Sequence, residues 1–268
     1  MKSLRSSDAE IFYEIRGSGP SAVLLHPFPC DHEFWHPVAA ALESRYRLIL
    51  PDLRGHGESE IGQGPALMQK YASDIARVLD AAGVGKATFV GCSIGGYVLF
   101  EFWRRFHARV NSLVLCDTRP QADTAEARAN RLQAAATVLE QGSELFLETM
   151  IPKLMGRTTV VTRPDLVDGA RAMMRKMSAE DISLVQRGMA ERPDSVADLK
   201  TIDVPTLIVI GEEDVLSTVA EGELMRQNIA GSRLKVIPKA GHYSPWEQPE
   251  AVGIVLRQFL DGCARNTS

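Results

Sequence analysis

The chain has 268 residues, 45% of them hydrophobic and 24% charged, which is enough to bury one large core and typical of a globular protein. Its formal net charge is −4 and its basic residues are scattered, so it has no clustered positive charge of the kind that binds nucleic acid, and no nucleic-acid partner is expected. No apolar stretch approaches the roughly 20 residues that a membrane helix needs, so no membrane partner is expected.

The first ten residues and the cysteines indicate the cellular compartment. The first ten residues are polar and lack the apolar segment of a secretory signal. The four cysteines lie far apart without a CxxC pair, which gives no indication of a metal or redox site. We therefore expect a reduced, cytoplasmic protein that holds no metal and no cofactor.

Along the chain, short apolar runs alternate with longer amphipathic ones, a pattern typical of βαβ units and a mostly parallel sheet. Runs such as 22–25 and 207–210 are continuously hydrophobic, as strands covered on both faces are. The predicted strands are 11–15, 22–26, 47–51, 87–91, 110–116, 206–211 and 234–238. The predicted helices among them are 33–43, 66–82, 94–107, 217–229 and 249–260. The sequence thus predicts an α/β protein with helices on both faces of the sheet.

The regular alternation breaks between Pro120 and Leu199. This stretch has helical patterns at 124–140, 143–154, 164–177 and 179–190, with no convincing strand. Helices inserted between two strands of one sheet predict a cap over its edge. The predicted organisation is therefore a core of residues 1–119 and 200–268 with a helical cap at 120–199.

The motif that carries chemistry is Gly91-Cys92-Ser93-Ile94-Gly95, which lies between a predicted strand and a predicted helix. This strand–turn–helix setting is the context that the G-x-S-x-G nucleophile motif requires. The small residues around Ser93 permit a sharp turn, and the helix N-terminus places N–H groups and a positive dipole end beside it. Ser93 is therefore the predicted nucleophile.

A serine nucleophile needs a base, and the chain has six histidines. Three lie in or beside predicted helices and are expected to be surface or packing residues: His32, His36 and His107. His26 and His56 lie after predicted strands, near the carboxyl edge of the sheet, where ligands bind in open α/β folds. A role in shaping that edge fits both residues as well as a catalytic role does. His242 follows the last predicted strand, after the nucleophile in the chain, and is the predicted base.

The acid is expected just after a strand. Asp214 has that position after 206–211, and Asp117 is its rival after 110–116. We favour Asp214 as the residue that orients the imidazole, because Asp117 is more simply a cap for the turn into the inserted helices. Glu212 and Glu213 are expected to be solvated loop carboxylates.

The oxyanion of an acyl-transfer reaction needs two preset N–H donors. One is predicted to be the backbone of Ile94, directly after the nucleophile. The other should come from the loop after strand 22–26, where Pro27 and Pro29 have no N–H and leave Phe28 as the donor.

Together these residues resemble the α/β-hydrolase superfamily. The resemblance rests on four segments: the nucleophile elbow 91–95, Asp52-Leu53-Arg54-Gly55-His56-Gly57-Glu58-Ser59, 211–214 and Ala240-Gly241-His242. Together with the helical insert it covers nearly the whole chain. Residues 187–195 are similar to the 3-oxoadipate enol-lactonase-like group of small esterases and lactonases. The resemblance implies an α/β-hydrolase fold and hydrolysis of small-molecule esters or lactones through an acyl-enzyme.

The triad of Ser93, His242 and Asp214 also supports other reactions. Carbon–carbon bond hydrolysis, thioester hydrolysis and perhydrolysis remain alternatives, as does a receptor of this fold that binds a small molecule without turnover. The acyl pocket is expected to lie in the insert and nearby core, with six candidate lining residues: Trp103, Met150, Leu154, Met173, Met174 and Met177. The sequence predicts nothing about oligomeric state.

Overall fold

An eight-stranded sheet organises the protein in the computed structural model, which describes residues 1–265. Its strands are β1 (Lys2–Ser6), β2 (Ala9–Arg16), β3 (Ser21–Leu25), β4 (Arg47–Pro51), β5 (Ala87–Cys92), β6 (Val110–Cys116), β7 (Thr206–Gly211) and β8 (Arg233–Ile237). The spatial order is β1-β2-β4-β3-β5-β6-β7-β8. Strand β2 pairs antiparallel with β1 and β4, and the remaining neighbours are parallel.

The central strands are buried on both faces, as their continuous hydrophobic runs predicted. Every residue of β5 and β7 is buried, and so is all of β3 except Ser21. The exposed edge strand β1 was not predicted, because its sequence Lys-Ser-Leu-Arg-Ser has no continuous apolar face. Strand β1 pairs with β2 and also contacts α2, where the hydroxyl of Ser6 donates to Asp74 (2.5 Å).

Eleven α-helices are present in residues 1–265. They are α1 (His36–Ala39), α2 (Met68–Ala81), α3 (Ile94–Phe106), α4 (Ala125–Gln141), α5 (Glu144–Leu154), α6 (Arg157–Thr162), α7 (Pro164–Met174), α8 (Ala179–Ala190), α9 (Val219–Asn228), α10 (Ser244–Glu247) and α11 (Pro249–Arg265). None of them combines the length and the hydropathy needed to cross a bilayer.

The continuous helix predicted at 33–43 is wrong. The structure has a 3₁₀-helix at His32–Trp35 followed by the four-residue α1. Pro37 has no N–H, so it cannot make the i→i−4 bond to Glu33 that a continuous helix would need. The helices α6 and α10 were not predicted.

The helices α4 to α8 lie between β6 and β7. Within this insert α4 packs against α8, and α7 packs against α5 and against the 3₁₀-helix of the core. Lys176 follows α7 and forms ion pairs with Asp31 (2.7 Å) and Glu33 (2.8 Å). The insert is thus attached to the segment that follows β3.

Candidate active site

Ser93 lies at the sharp turn between β5 and α3. Its backbone has φ 54° and ψ −114°, a conformation that costs a non-glycine residue about 1–3 kcal/mol. Hydrogen bonds hold both backbone groups of Ser93: its N–H donates to the carbonyl of Cys116 (3.0 Å), and its carbonyl accepts the hydroxyl of Thr118 (2.9 Å). Strand β6 therefore supports the strained turn.

Close backbone approach explains the two glycines that flank the turn. A Cβ on Gly91 would lie 2.6 Å from the carbonyl carbon of Gly95. A Cβ on Gly95 would lie 2.5 Å from the carbonyl oxygen of Leu25, at the end of β3. Only glycine lets the start of α3 approach both strands this closely.

The structure brings the predicted base and acid to Ser93. The Nε2 atom of His242 lies 2.7 Å from Ser93 Oγ, and its Nδ1 atom lies 2.8 Å from Asp214 Oδ2. The other oxygen of Asp214 accepts N–H bonds from Leu216 (2.7 Å) and Ser217 (3.0 Å). With Nδ1–H donating to this fixed carboxylate, Nε2 is the acceptor that faces the serine hydroxyl.

Asp117, the rival acid, forms hydrogen bonds with Gly211 and Ser244 instead of with the imidazole of His242. Its buried carboxylate accepts the N–H of Gly211 (2.8 Å) and both the N–H (3.2 Å) and the hydroxyl (2.6 Å) of Ser244. Burial raises the pKa of Asp117 well above its ordinary value, and the charge of Asp214 adds to this effect. Its expected role as a cap for the turn into the inserted helices is wrong, because its partners are the last residue of β7 and the first residue of α10.

His26 directly follows β3 and is fully buried, as is His56, whose ring lies 5.0 Å from that of His26. Burial lowers the pKa of His26 to about 4 and that of His56 to about 3, so both imidazoles are neutral. His26 Nε2 accepts the N–H of Leu53 (2.9 Å), and the ring of His56 contacts that of Phe28 edge-on at 5.9 Å. Both histidines shape the sheet edge and support the Phe28 loop.

The two predicted oxyanion donors lie on elements that meet at Ser93. Ile94 is the first residue of α3, so its N–H has no partner within the helix. The carbonyl of Phe28 accepts the hydroxyl of Tyr243 (2.9 Å), next to His242, and this bond helps to hold the loop that carries the Phe28 N–H. The close contact of Gly95 with Leu25 brings the start of α3 to the strand from which the Phe28 loop emerges. Their role as an oxyanion hole stays a prediction.

A cavity of about 320 Å³ opens at Ser93 and His242, within the size range of small-molecule sites. Residues of the insert form much of its wall. The lining residues are Phe28, Ser93, Tyr97, Arg119, Asp123, Ala127, Asn130, Arg131, Ala134, Phe146, Met150, Lys153, Leu154, Gln186, Met189, Leu216 and His242.

Two of the six predicted pocket residues, Met150 and Leu154, line this cavity. The structure does not bring the other four to it. Trp103 is buried and donates from its indole to Thr201 (3.0 Å). Met173, Met174 and Met177 are buried in the hydrophobic core instead, because α7 packs against α5 and the 3₁₀-helix of the core.

The cavity wall carries more positive than negative charge, which sequence reasoning missed. Arg119, Arg131 and Lys153 line it together with one carboxylate, Asp123. Burial raises the pKa of Asp123, but the charges of Arg131 (2.6 Å) and Arg192 (2.7 Å) outweigh burial and lower that pKa below its ordinary value. Asp123 is therefore an ionised partner of these two arginines.

Arg119 is more loosely paired than Arg131. Its guanidinium lies 3.5 Å from Asp123 and 3.6 Å from Glu221, and its buried Nε–H makes no hydrogen bond within residues 1–265. Arg119 follows β6 by only three residues, so its place at the carboxyl edge of the sheet was available as a sequence signal.

Carboxylates also tie the insert to the loops that carry Asp214 and His242. Glu247 accepts N–H bonds from Gly241 (2.8 Å), next to His242, and from Gly156 (2.8 Å) in the insert. Glu213 accepts the N–H of Thr158 (2.8 Å). The expectation that Glu213 is a solvated loop carboxylate is wrong, since its side chain is only 10% exposed.

Comparison with known proteins gives matches over nearly the full length. A family model described as the alpha/beta hydrolase fold matches residues 20–249. The chain is 30% identical to 3-oxoadipate enol-lactonase 1 of Acinetobacter baylyi, over 91% of this chain and 89% of that protein. A thermophilic esterase from Thermogutta terrifontis, solved with malate bound, superposes with a TM-score of 0.95 at 36% identity, over 98% of this chain and 99% of that one.

The enol-lactonase from Burkholderia xenovorans LB400 superposes with a TM-score of 0.90 at 25% identity, over 97% of this chain and 100% of that one. These similarities confirm the fold and the family resemblance that the sequence predicted.

Proposed function

Because the chain belongs to the alpha/beta hydrolase fold family, we propose that it is a serine hydrolase of small carboxylic esters and lactones. One observation carries this proposal: Ser93 Oγ, the imidazole of His242 and the carboxylate of Asp214 form a continuous hydrogen-bonded chain at the cavity. That arrangement activates a serine for attack on a carbonyl.

The proposed reaction has two steps. His242 takes the proton of Ser93 as Oγ bonds to the substrate carbonyl carbon, and the N–H groups of Phe28 and Ile94 hold the oxyanion. The alcohol or enol leaves with the proton from His242, and an acyl-enzyme forms. Water then gives a proton to His242 and attacks the acyl-enzyme, which releases the acid and restores Ser93. Asp214 keeps the imidazole oriented and stabilises its protonated form throughout.

We propose that the insert acts as a cap that selects the acyl and leaving groups. Residues of α4, α5 and α8 line the cavity, so the insert bounds the space beside Ser93. The positive wall formed by Arg119, Arg131 and Lys153 favours substrates that bear a carboxylate in addition to the ester or lactone. The names of the relatives support this preference, since one acts on an enol-lactone of 3-oxoadipate and another was solved with malate.

The test compares the wild type with Ser93→Ala on p-nitrophenyl butyrate and on an enol-lactone that bears a carboxylate. We expect Ser93→Ala to lose turnover of both substrates and to lose covalent labelling by a fluorophosphonate, while its thermal melting stays close to that of the wild type. His107→Ala, at an exposed histidine away from the cavity lining, is the matched control and should retain full activity. Turnover by Ser93→Ala at the wild-type rate would refute the proposal.

A further inference from the structure

A second group of chemically competent side chains lies outside the cavity lining. It consists of Glu14 on β2 and of His32 and His36, which lie four residues apart in the two short helical turns after β3. We call these three residues the histidine cluster. All three side chains are partly exposed, so an ion could reach them from solvent.

The cluster has the geometry of a metal site. One ligand atom from each side chain lies within 4.8 Å of the others, and His36 Nε2 is 2.7 Å from Glu14 Oε2. The imidazole centres of His32 and His36 are 5.4 Å apart, with an angle of 71° between the ring planes. Two imidazoles on one tetrahedral zinc, with Zn–N bonds of about 2.0–2.1 Å, place their ring centres roughly 5 Å apart. Small side-chain rotations would therefore close the site around an ion.

Asp52 orients one of the proposed ligands. Its fully buried carboxylate contacts His32 Nδ1 at 2.8 Å and also accepts the backbone N–H of His32 (2.8 Å) and of Glu58 (3.0 Å). The contact occupies Nδ1 and leaves Nε2 to bind a metal. A carboxylate–histidine–metal arrangement of this kind is the usual outer-sphere support of a zinc ligand.

The surrounding charges also favour a cation. Besides Glu14 and Asp52, the carboxylates of Asp31 and Glu33 lie on the same turn as His32, and Lys176 offsets part of their charge. Arg16 also lies near the histidine cluster, but its guanidinium is closer to Glu43 (2.6 Å) than to Glu14 (3.7 Å). We propose that the histidine cluster binds one divalent transition-metal ion of the zinc type. Two imidazoles and a carboxylate suit such an ion better than magnesium or calcium.

The experiment uses the chelator-treated full chain and isothermal titration with zinc chloride, followed by thermal melting with and without zinc. We expect one zinc per chain, and affinity at least tenfold weaker in His36→Ala and in Glu14→Gln. His107→Ala, which changes an exposed histidine elsewhere, should bind like the wild type. Because a ligand that binds the folded state stabilises it, zinc should raise the melting temperature of the wild type and of His107→Ala but not of His36→Ala.

Two results would overturn the proposal. Equal zinc affinity in the wild type, His36→Ala and Glu14→Gln would assign the ion to other donors, such as Asp31 and Asp52. The absence of one-to-one binding in the wild type would show that the cluster holds no metal. Activity measurements are not needed, since neither His36 nor Glu14 lines the cavity at Ser93.

Discussion

Replacing Arg119 with Gln tests whether the cavity selects a carboxylate. The substitution removes a loosely paired cation of the cavity wall and keeps a side chain of similar length. Neither of its present carboxylate neighbours is close enough for a strong ion pair, at 3.5 Å and 3.6 Å. The guanidinium is therefore available to an anionic group of the substrate.

The size of the effect follows from this environment. A hydrogen bond to a charged group contributes about 1.5–3 kcal/mol net. The side chain of Arg119 is 28% exposed and shares its charge with Asp123 and Glu221, so the lower part of that range, about 1.5–2 kcal/mol, applies. Arg119→Gln should therefore lower kcat/KM for an anionic substrate about 10- to 30-fold.

The assay compares two p-nitrophenyl esters that differ mainly in charge, the hemisuccinate and the butyrate. We expect Arg119→Gln to lower kcat/KM for the hemisuccinate and to leave the value for the butyrate within about twofold, since an uncharged ester gains nothing from the cation. Arg128→Gln is the matched control, because Arg128 lies on α4, pairs with Glu191 and does not line the cavity. An equal loss for both esters would refute charge recognition by Arg119.

Two further predictions concern the acid and the buried histidines. Asp214→Asn should lower kcat about 10⁴-fold, because it loses the carboxylate that orients His242. Asp117→Asn should have a much smaller effect on kcat. Steady-state kinetics measures both variants, and a larger loss of kcat in Asp117→Asn would reverse the assignment of the acid. His26 and His56 have pKa values lowered to about 4 and about 3, so unfolding below pH 6.5 takes up protons that the folded state does not bind. The free energy of unfolding, measured in urea, should fall as pH decreases from 6.5 to 4, by about 3 kcal/mol for His26 alone. The fall should be less steep in His56→Gln than in the wild type. Equal pH slopes of the unfolding free energy in the wild type and in His56→Gln would contradict this explanation.

The parts of the site that lie on one continuous segment were predictable. The elbow at Ser93 combines a strand, glycines and a helix within a few residues, and its φ of 54° is the conformation that those glycines permit. Asp214 and His242 were predictable from their place after β7 and β8, because parallel strands present their carboxyl ends at one edge. The same rule does not separate Asp214 from Asp117, since both residues follow a strand. Asp214 was favoured because Asp117 was expected to cap the turn into the insert, but the partners of Asp117 lie elsewhere.

The pocket was predicted poorly because it depends on how the insert packs. Helical periodicity shows that α7 has an apolar face but not which surface that face contacts, and its methionines entered the core. The charged wall was missed for the same reason. Arg119 and Lys153 lie far apart in the chain, and only the packing of the insert over the sheet edge brings them to one cavity.

The sequence alone predicted the order of most strands and helices, the strained serine turn and the candidate base and acid. These features follow from local backbone preferences and from the common edge of a parallel sheet. Tertiary structure alone decided the shape and charge of the cavity, the backbone role of Asp117 and the meeting of Glu14 with His32 and His36. Those contacts join residues far apart in the chain, so they are selected by the packing of the whole core and insert, which no local pattern encodes.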